Sequence, residues 1–189
     1  RLTASEIMQD GCFYNENYRT AKTQYTYRSN GTKKHVRPHF TFYGFRYMKV
    51  EYLDAQGDPV NLGENVLKKD AFTAHHLRSD FDEIGKIHTG NDKVNRLFLN
   101  ALWGQKDNFL DVPTDCPQRD ERLGWTGDAQ VFSETACYNM YMPAFYRKYL
   151  WDMRAEQSIL GGSVPNVVPR LKEGMVAEHG SCPWADAGV

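Results

Sequence analysis

The chain has 189 residues, enough for one domain with a sizeable core or for parts of two. Apolar residues make up 41% and charged residues 25%, a globular balance that excludes a disordered or low-complexity chain. The 23 Lys and Arg against 24 Asp and Glu leave a net charge of −1, with no basic excess to release counterions from nucleic acid. A neutral partner suits this balance. No run of about 18 apolar residues is present, so no membrane span is expected. The four cysteines, Cys12, Cys116, Cys137 and Cys182, lie far apart with no C-x-x-C pair, so no metal site is expected from them; they read as scattered buried thiols, with a disulfide left open because sequence gives no distances.

Residues 1–86 read as β. The segment Thr20–Tyr27 is rich in Thr and Tyr, which favour a pleated surface. Ser29-Asn30-Gly31 supplies a turn. Phe40 and Phe42 follow, two apart. Then Met48, Val50 and Tyr52 alternate with Lys49 and Glu51, which predicts apolar side chains on one face and charges on the other. The stretch Asp54–Pro59 closes that strand as a turn. Antiparallel strands of this kind suggest a sandwich. His75 and His76 would point to opposite faces of a strand, so they do not share an ion.

The texture changes near Thr89-Gly90-Asn91. Val94, Leu97, Phe98, Ala101 and Leu102 fall on one helical stripe, with Asn91 as the N-cap and an end near Asn108. A second helical stretch runs from about Asp128 to Leu160. Pro143 inside it predicts two helices, and Gly161-Gly162 ends it. Tyr138, Asn139 and Tyr141 read as core. With no strand pattern between the helices, residues 87–189 are expected to be all-α.

Between the helical regions lies Asp111–Asp128, interrupted by Pro113, Pro117, Gly124 and Gly127. Asp115, Asp120, Glu121 and Asp128 place four carboxylates within 14 residues, with Arg119 and Arg122 among them and Trp125 at the centre. These types suit a sugar pocket. Carboxylates accept hydrogen bonds from hydroxyls and pass protons to a glycosidic oxygen. An aromatic face packs on the C–H side of a pyranose, and arginine offers a fork of donors. Crowded carboxylates also raise the pKa of one member, as a general acid requires. Composition and spacing fit equally well an ion-paired, proline-stiffened loop with Asp128 capping the next helix.

The string Asp115-Cys116-Pro117-Gln118-Arg119-Asp120-Glu121-Arg122-Leu123-Gly124-Trp125-Thr126-Gly127-Asp128-Ala129-Gln130 closely resembles the signature of the bacterial α-L-rhamnosidase family of glycoside hydrolases. Phe40–Tyr47 resembles the family's last sandwich strands. Pro183–Val189 resembles a pocket segment in which Gly is more usual at the place of Ala185. The resemblance spans nearly the whole chain.

The resemblance implies a β-sandwich portion over residues 1–86, followed over 87–189 by the first helices of an (α/α)6 catalytic barrel. It implies hydrolysis of terminal α-L-rhamnosides with inversion. Glu121 matches the general acid. Asp115, Arg119, Trp125 and Asp128 match residues that bind rhamnose, and Trp184 resembles an aromatic pocket wall. Asp186 is a weaker match, Asp120 has no assigned role beyond pairing with an arginine, and His179 reads as a plain loop residue near Trp184. No cofactor is implied. The partner is a rhamnose-containing oligosaccharide or glycoside.

Inversion needs a second carboxylate, which the family places later than residue 189. The chain begins at Arg1 without Met and stops soon after a Trp-containing loop, so it reads as a piece of a longer protein, inactive alone and prone to associate through uncovered helix faces. A truncated, non-catalytic carbohydrate-binding protein and a helical-barrel glycosidase for another sugar are the competing readings. Compartment, aglycone and oligomeric state stay open.

Overall fold

A computed structural model describes residues 1–32, 34–63, 68–171 and 180–189, the Lys69 side chain excepted. His179 lies outside the described residues. The chain divides into two compact units, Arg1–Leu77 with Gln118–Asp120, and Arg78–Pro117 with Glu121–Val189.

The first unit is built of short antiparallel strands. β1 (Leu2–Ser5) lies between β4 (Gln24–Tyr25) and β5 (Tyr47–Val50). β2 (Ile7–Gln9) and β3 (Cys12–Tyr14) form a hairpin, as do β6 (Tyr52–Leu53) and β7 (Pro59–Val60). The centre is small. Thr3, Ala4 and Ser5 are buried, and Tyr18 beside them donates its hydroxyl to the Gly44 carbonyl at 2.7 Å.

The turn expected at Asp54–Pro59 forms as the β6–β7 connection. Asp54 Oδ1 accepts from the N–H groups of Gln56 and Asp58, both at 2.9 Å, and Gly57 takes a positive φ of 95°. Met48 and Val50 are the half-buried members of β5, as the alternation predicts. The period then slips. Tyr52 is exposed, whereas Glu51 is half-buried, because Arg1 and Lys49 each hold its carboxylate at 3.0 Å. A paired carboxylate tolerates the inward position better than an unpaired one would. The Thr20–Tyr27 segment narrows to the two residues of β4, and Phe40 and Phe42 lie outside any strand. His75 and His76 are also outside any strand, both exposed.

The second unit carries the helices α1 (Asp92–Asn108), α2 (Thr126–Asn139), α3 (Pro143–Ile159) and the short α4 (Cys182–Ala185). Asn91 caps α1 as expected, its side chain accepting from the Lys93 N–H at 3.0 Å. Pro143 opens α3 at its first position, where no N–H partner is needed. Gly161 and Gly162 follow the helix with φ of 64° and 98°, the conformation that ends it.

The face that α1 buries is rotated from the expected stripe. Leu102, Gln105 and Lys106 are buried and Phe98 is half-buried, while Val94 and Leu97 are exposed. Two polar networks draw the helix round. The Asn139 amide donates to Gln105 Oε1 at 3.0 Å, and Lys106 pairs with Glu83 at 2.6 Å. Tyr138 and Tyr141, expected in the core, are exposed; Asn139 between them is buried.

The region between α1 and α2 is not wholly without strands. β8 (Phe109–Leu110) and β9 (Val112–Pro113) make a tight hairpin, with Asp111 at φ 69° in its turn. Its purpose is visible in the packing. Phe109 is driven into the helical core, stacking on Phe145 at 5.0 Å and meeting Phe132 and Tyr146 edge-on. Leu102, Ala136, Met140 and Met142 complete that core. A second cluster joins Ala129, Tyr149, Met153, Val164 and Val168.

None of the four cysteines is in a disulfide, and only Cys116 is buried, contrary to the expectation of buried thiols. Among the described residues no helix is long and apolar enough to cross a membrane.

Candidate active site

The chemistry-bearing loop is held at three places. At its start, the Asp115 N–H donates to the Leu123 carbonyl at 3.2 Å, and Asp115 Oδ1 accepts from the Leu123 N–H at 3.1 Å. At its end, Gly124 lies against Val168. The Val168 N–H donates to the Gly124 carbonyl at 2.8 Å, and a Cβ at position 124 would come within 2.1 Å of the Val168 oxygen. Only glycine allows that approach. Third, Thr126 at the head of α2 is fully buried, and its hydroxyl reaches the carbonyls of Pro165 and Asn166, each at 3.1 Å.

This clamping brings three carboxylates together. Single ligand atoms of Asp115, Cys116 and Glu121 all lie within 4.8 Å of one another. Asp128, third residue of α2, feels the charges of both Asp115 and Glu121. Its carboxyl is pushed up from the usual range, first by burial and then by Asp115 and, less strongly, by Glu121. Asp128 is thus a member of the crowd whose pKa is raised. The helix N-terminus opposes this shift, because its backbone favours the ionised form.

A cavity of about 570 Å³ opens beside this cluster, in the size range of small-ligand sites. Asp115, Asp128 and Trp184 supply its walls, with Phe109, Phe132 and Gln105 among the rest. Glu121 and Trp125 are half-buried and do not line it. Glu121 approaches it through Asp115, whose carboxylate is both its neighbour and a wall. The Trp125 indole turns back on its own loop, donating to the Glu121 carbonyl at 3.3 Å.

Arg119 and Asp120 group with the strand unit. Asp120 accepts from the hydroxyl of Thr20 and, at 3.3 Å, from its N–H. Those bonds, helped by the charge of Arg19, hold its carboxyl below the usual range. Thr20 is thus a direct partner of Asp120, and the charge of Arg19 adds an attraction. Asp186 is exposed in a 3-10 turn after α4.

Two residues to which the sequence reading gave no site role belong to this neighbourhood. Cys116 places its sulfur among the carboxylates. Gly127 lies under the Trp184 ring. Nothing in the spacing of Cys116 marks it, whereas a glycine inside the first turn of a helix is itself a signal of close approach.

Comparison with known proteins identifies the family of both parts of the chain. Residues 82–189 match the bacterial alpha-L-rhamnosidase 6 hairpin glycosidase domain, and residues 1–78 match the bacterial alpha-L-rhamnosidase concanavalin-like domain. An alpha-L-rhamnosidase of Formosa agariphila is 40% identical over 97% of this chain, and one of Alteromonas sp. is 40% identical over all of it. The chain spans about 19% of the length of each. The Streptomyces avermitilis alpha-L-rhamnosidase, whose crystal structure is complexed with L-rhamnose, superposes with a TM-score of 0.84 at 36% identity. That match covers 100% of this chain and 17% of the other. With a concanavalin-like domain leading into a six-hairpin glycosidase domain, the chain belongs to the bacterial α-L-rhamnosidase family.

Proposed function

We infer that this chain carries the acid side of the active site of an inverting glycoside hydrolase that releases terminal α-L-rhamnose. The convergence of Asp115, Glu121 and Asp128 beside a sugar-sized cavity is the observation that carries this reading. Glu121 is the general acid, giving its proton to the oxygen that links rhamnose to its aglycone. Asp115 and Asp128 take the sugar hydroxyls, and Trp184 forms the apolar wall. Arg119 and Trp125 complete the set of rhamnose-binding residues.

Water attacks C1 from the opposite face. The base that activates it stands roughly 6.5–9.5 Å from the acid in inverting enzymes, and we assign it to sequence outside these 189 residues. Residues 1–86 supply a sandwich portion and 87–189 the opening helices of the catalytic barrel. The 189-residue chain alone is accordingly without turnover.

The test is Glu121→Gln in the complete protein that carries this chain. Hydrolysis of rhamnosides with poor leaving groups should fall by about 10²–10⁴-fold, the usual contribution of a general acid, while rhamnose still binds. An unchanged rate on those substrates overturns the assignment.

A second reading has its own support, since the cavity walls include two proposed binding carboxylates but not the proposed acid. In that reading the site only holds carbohydrate. Rhamnose binding by a complete protein that turns over no rhamnoside would favour it. Stronger competition by glucose than by rhamnose would favour a glycosidase for a different sugar.

A further inference from the structure

Gly127 is the second residue of α2, and its φ is not positive, so backbone freedom does not explain a glycine there. Alanine is the better helix former. The surroundings do explain it. A Cβ at this position would stand 2.8 Å from Nε1 of Trp184 and 2.9 Å from its Cδ1 and Cε2. Real Cβ atoms do not approach so closely, and the obstacle is a rigid ring rather than a mobile chain end. Both residues line the cavity that Asp115 and Asp128 also line.

The ring has no polar anchor among the described residues. Its indole nitrogen is buried, with no hydrogen-bond partner among the described residues. Trp184 sits on α4, a helix of four residues, too short to hold a side chain by itself. Packing against α2 therefore sets where the indole plane stands, and the missing side chain of Gly127 sets how deeply it can seat.

Resting on the function proposed above, we propose that Gly127 is a positioning residue: it seats the Trp184 ring against the first turn of α2 and so fixes the apolar wall on which rhamnose packs. Asp128 is the next residue of the same turn. The depth of the indole and the placing of that carboxylate are thus set by one short stretch of backbone, with the sugar's apolar face on one and its hydroxyls on the other.

The experiment uses the complete protein with Gly127→Ala, Trp184→Leu and the double substitution, followed by thermal unfolding and by rhamnoside kinetics. Gly127→Ala should lower the melting temperature while Trp184 is present. In the Trp184→Leu background it should leave that temperature level or raise it, as alanine's helix preference dictates. In the kinetics, kcat/KM should fall at least 10-fold, mostly through KM. Equal thermal effects in the two backgrounds would overturn the contact. A thermal coupling without a change in KM would overturn the positioning role. A wild-type protein that neither binds rhamnose nor hydrolyses a rhamnoside defeats the proposed function, and with it the role in substrate binding; that result is read before any variant is made.

Discussion

Asp115 and Leu123 are joined by two hydrogen bonds, one from each N–H, so that residues 116–122 form a closed loop with Glu121 near its end. The second bond uses a carboxylate oxygen as acceptor, the stronger kind. Asp115 is thus a latch for the loop as well as a wall of the cavity.

The latch leads to the first prediction. Asp115→Ala in the complete protein should destabilise by about 1–3 kcal/mol, the ordinary loss for a hydrogen bond to a charged group. Asp115→Asn keeps an acceptor for the Leu123 N–H and should lose less than half of that. Denaturant unfolding of both variants measures the difference. Equal losses would show that the latch is not what the carboxylate contributes.

Asp128 gives a prediction about pH. Its folded pKa is raised, so the folded state holds the proton more tightly than the unfolded chain does. The penalty is absent below the unfolded value of about 3.9. It grows as pH rises towards the folded value and is constant beyond it. Asp128→Asn should therefore raise the melting temperature at pH 7, with the gain gone by pH 3. Melting curves across that range check the sign, and a stabilisation that persists at pH 3 would contradict it. Removing the Asp115 charge by Asp115→Asn should shrink the Asp128 effect, because Asp115 is the largest charge acting on it.

Phe109 is 3% exposed and holds the core between α2 and α3 while also lining the cavity. Phe109→Ala should cost about 3–5 kcal/mol, the range for deleting a buried aromatic side chain. Substrate affinity should fall with stability in this variant, unlike in Glu121→Gln. A loss below about 1 kcal/mol would mean that the stack with Phe145 closes over the gap.

The 189-residue chain should self-associate when prepared alone. Leu97, Val131, Trp151 and Ile159 stand well exposed on its helices, with Val131 at 84%. Large apolar side chains left in water favour association where they meet. Replacing Leu97, Trp151 and Ile159 with charged residues should shift its elution in size-exclusion chromatography towards the monomer. An already monomeric parent chain would refute this.

The order of elements was legible because their signals are local. Asn91 names the start of α1, Pro143 splits one helical run into two, and paired glycines end α3; each acts through its own backbone. The loop from Asp115 to Asp128 was legible by its resemblance to one family. What failed did so where partners lie far along the chain. Leu97 satisfies the helical period yet faces outwards, because Gln105, which accepts from Asn139, and Lys106, which pairs with Glu83, turn α1 round. Glu51 turns inwards because Arg1 and Lys49 meet its charge.

By itself, then, the sequence determined which side chains could do the chemistry, since carboxylate, indole and guanidinium identities are fixed residue by residue. Only the tertiary structure decided how they are shared out. It raised the pKa of Asp128, set Asp115 into both latch and wall, and laid Trp184 over Gly127. Proton affinity and cavity shape depend on distances between residues that are remote in sequence, and only folding sets those distances.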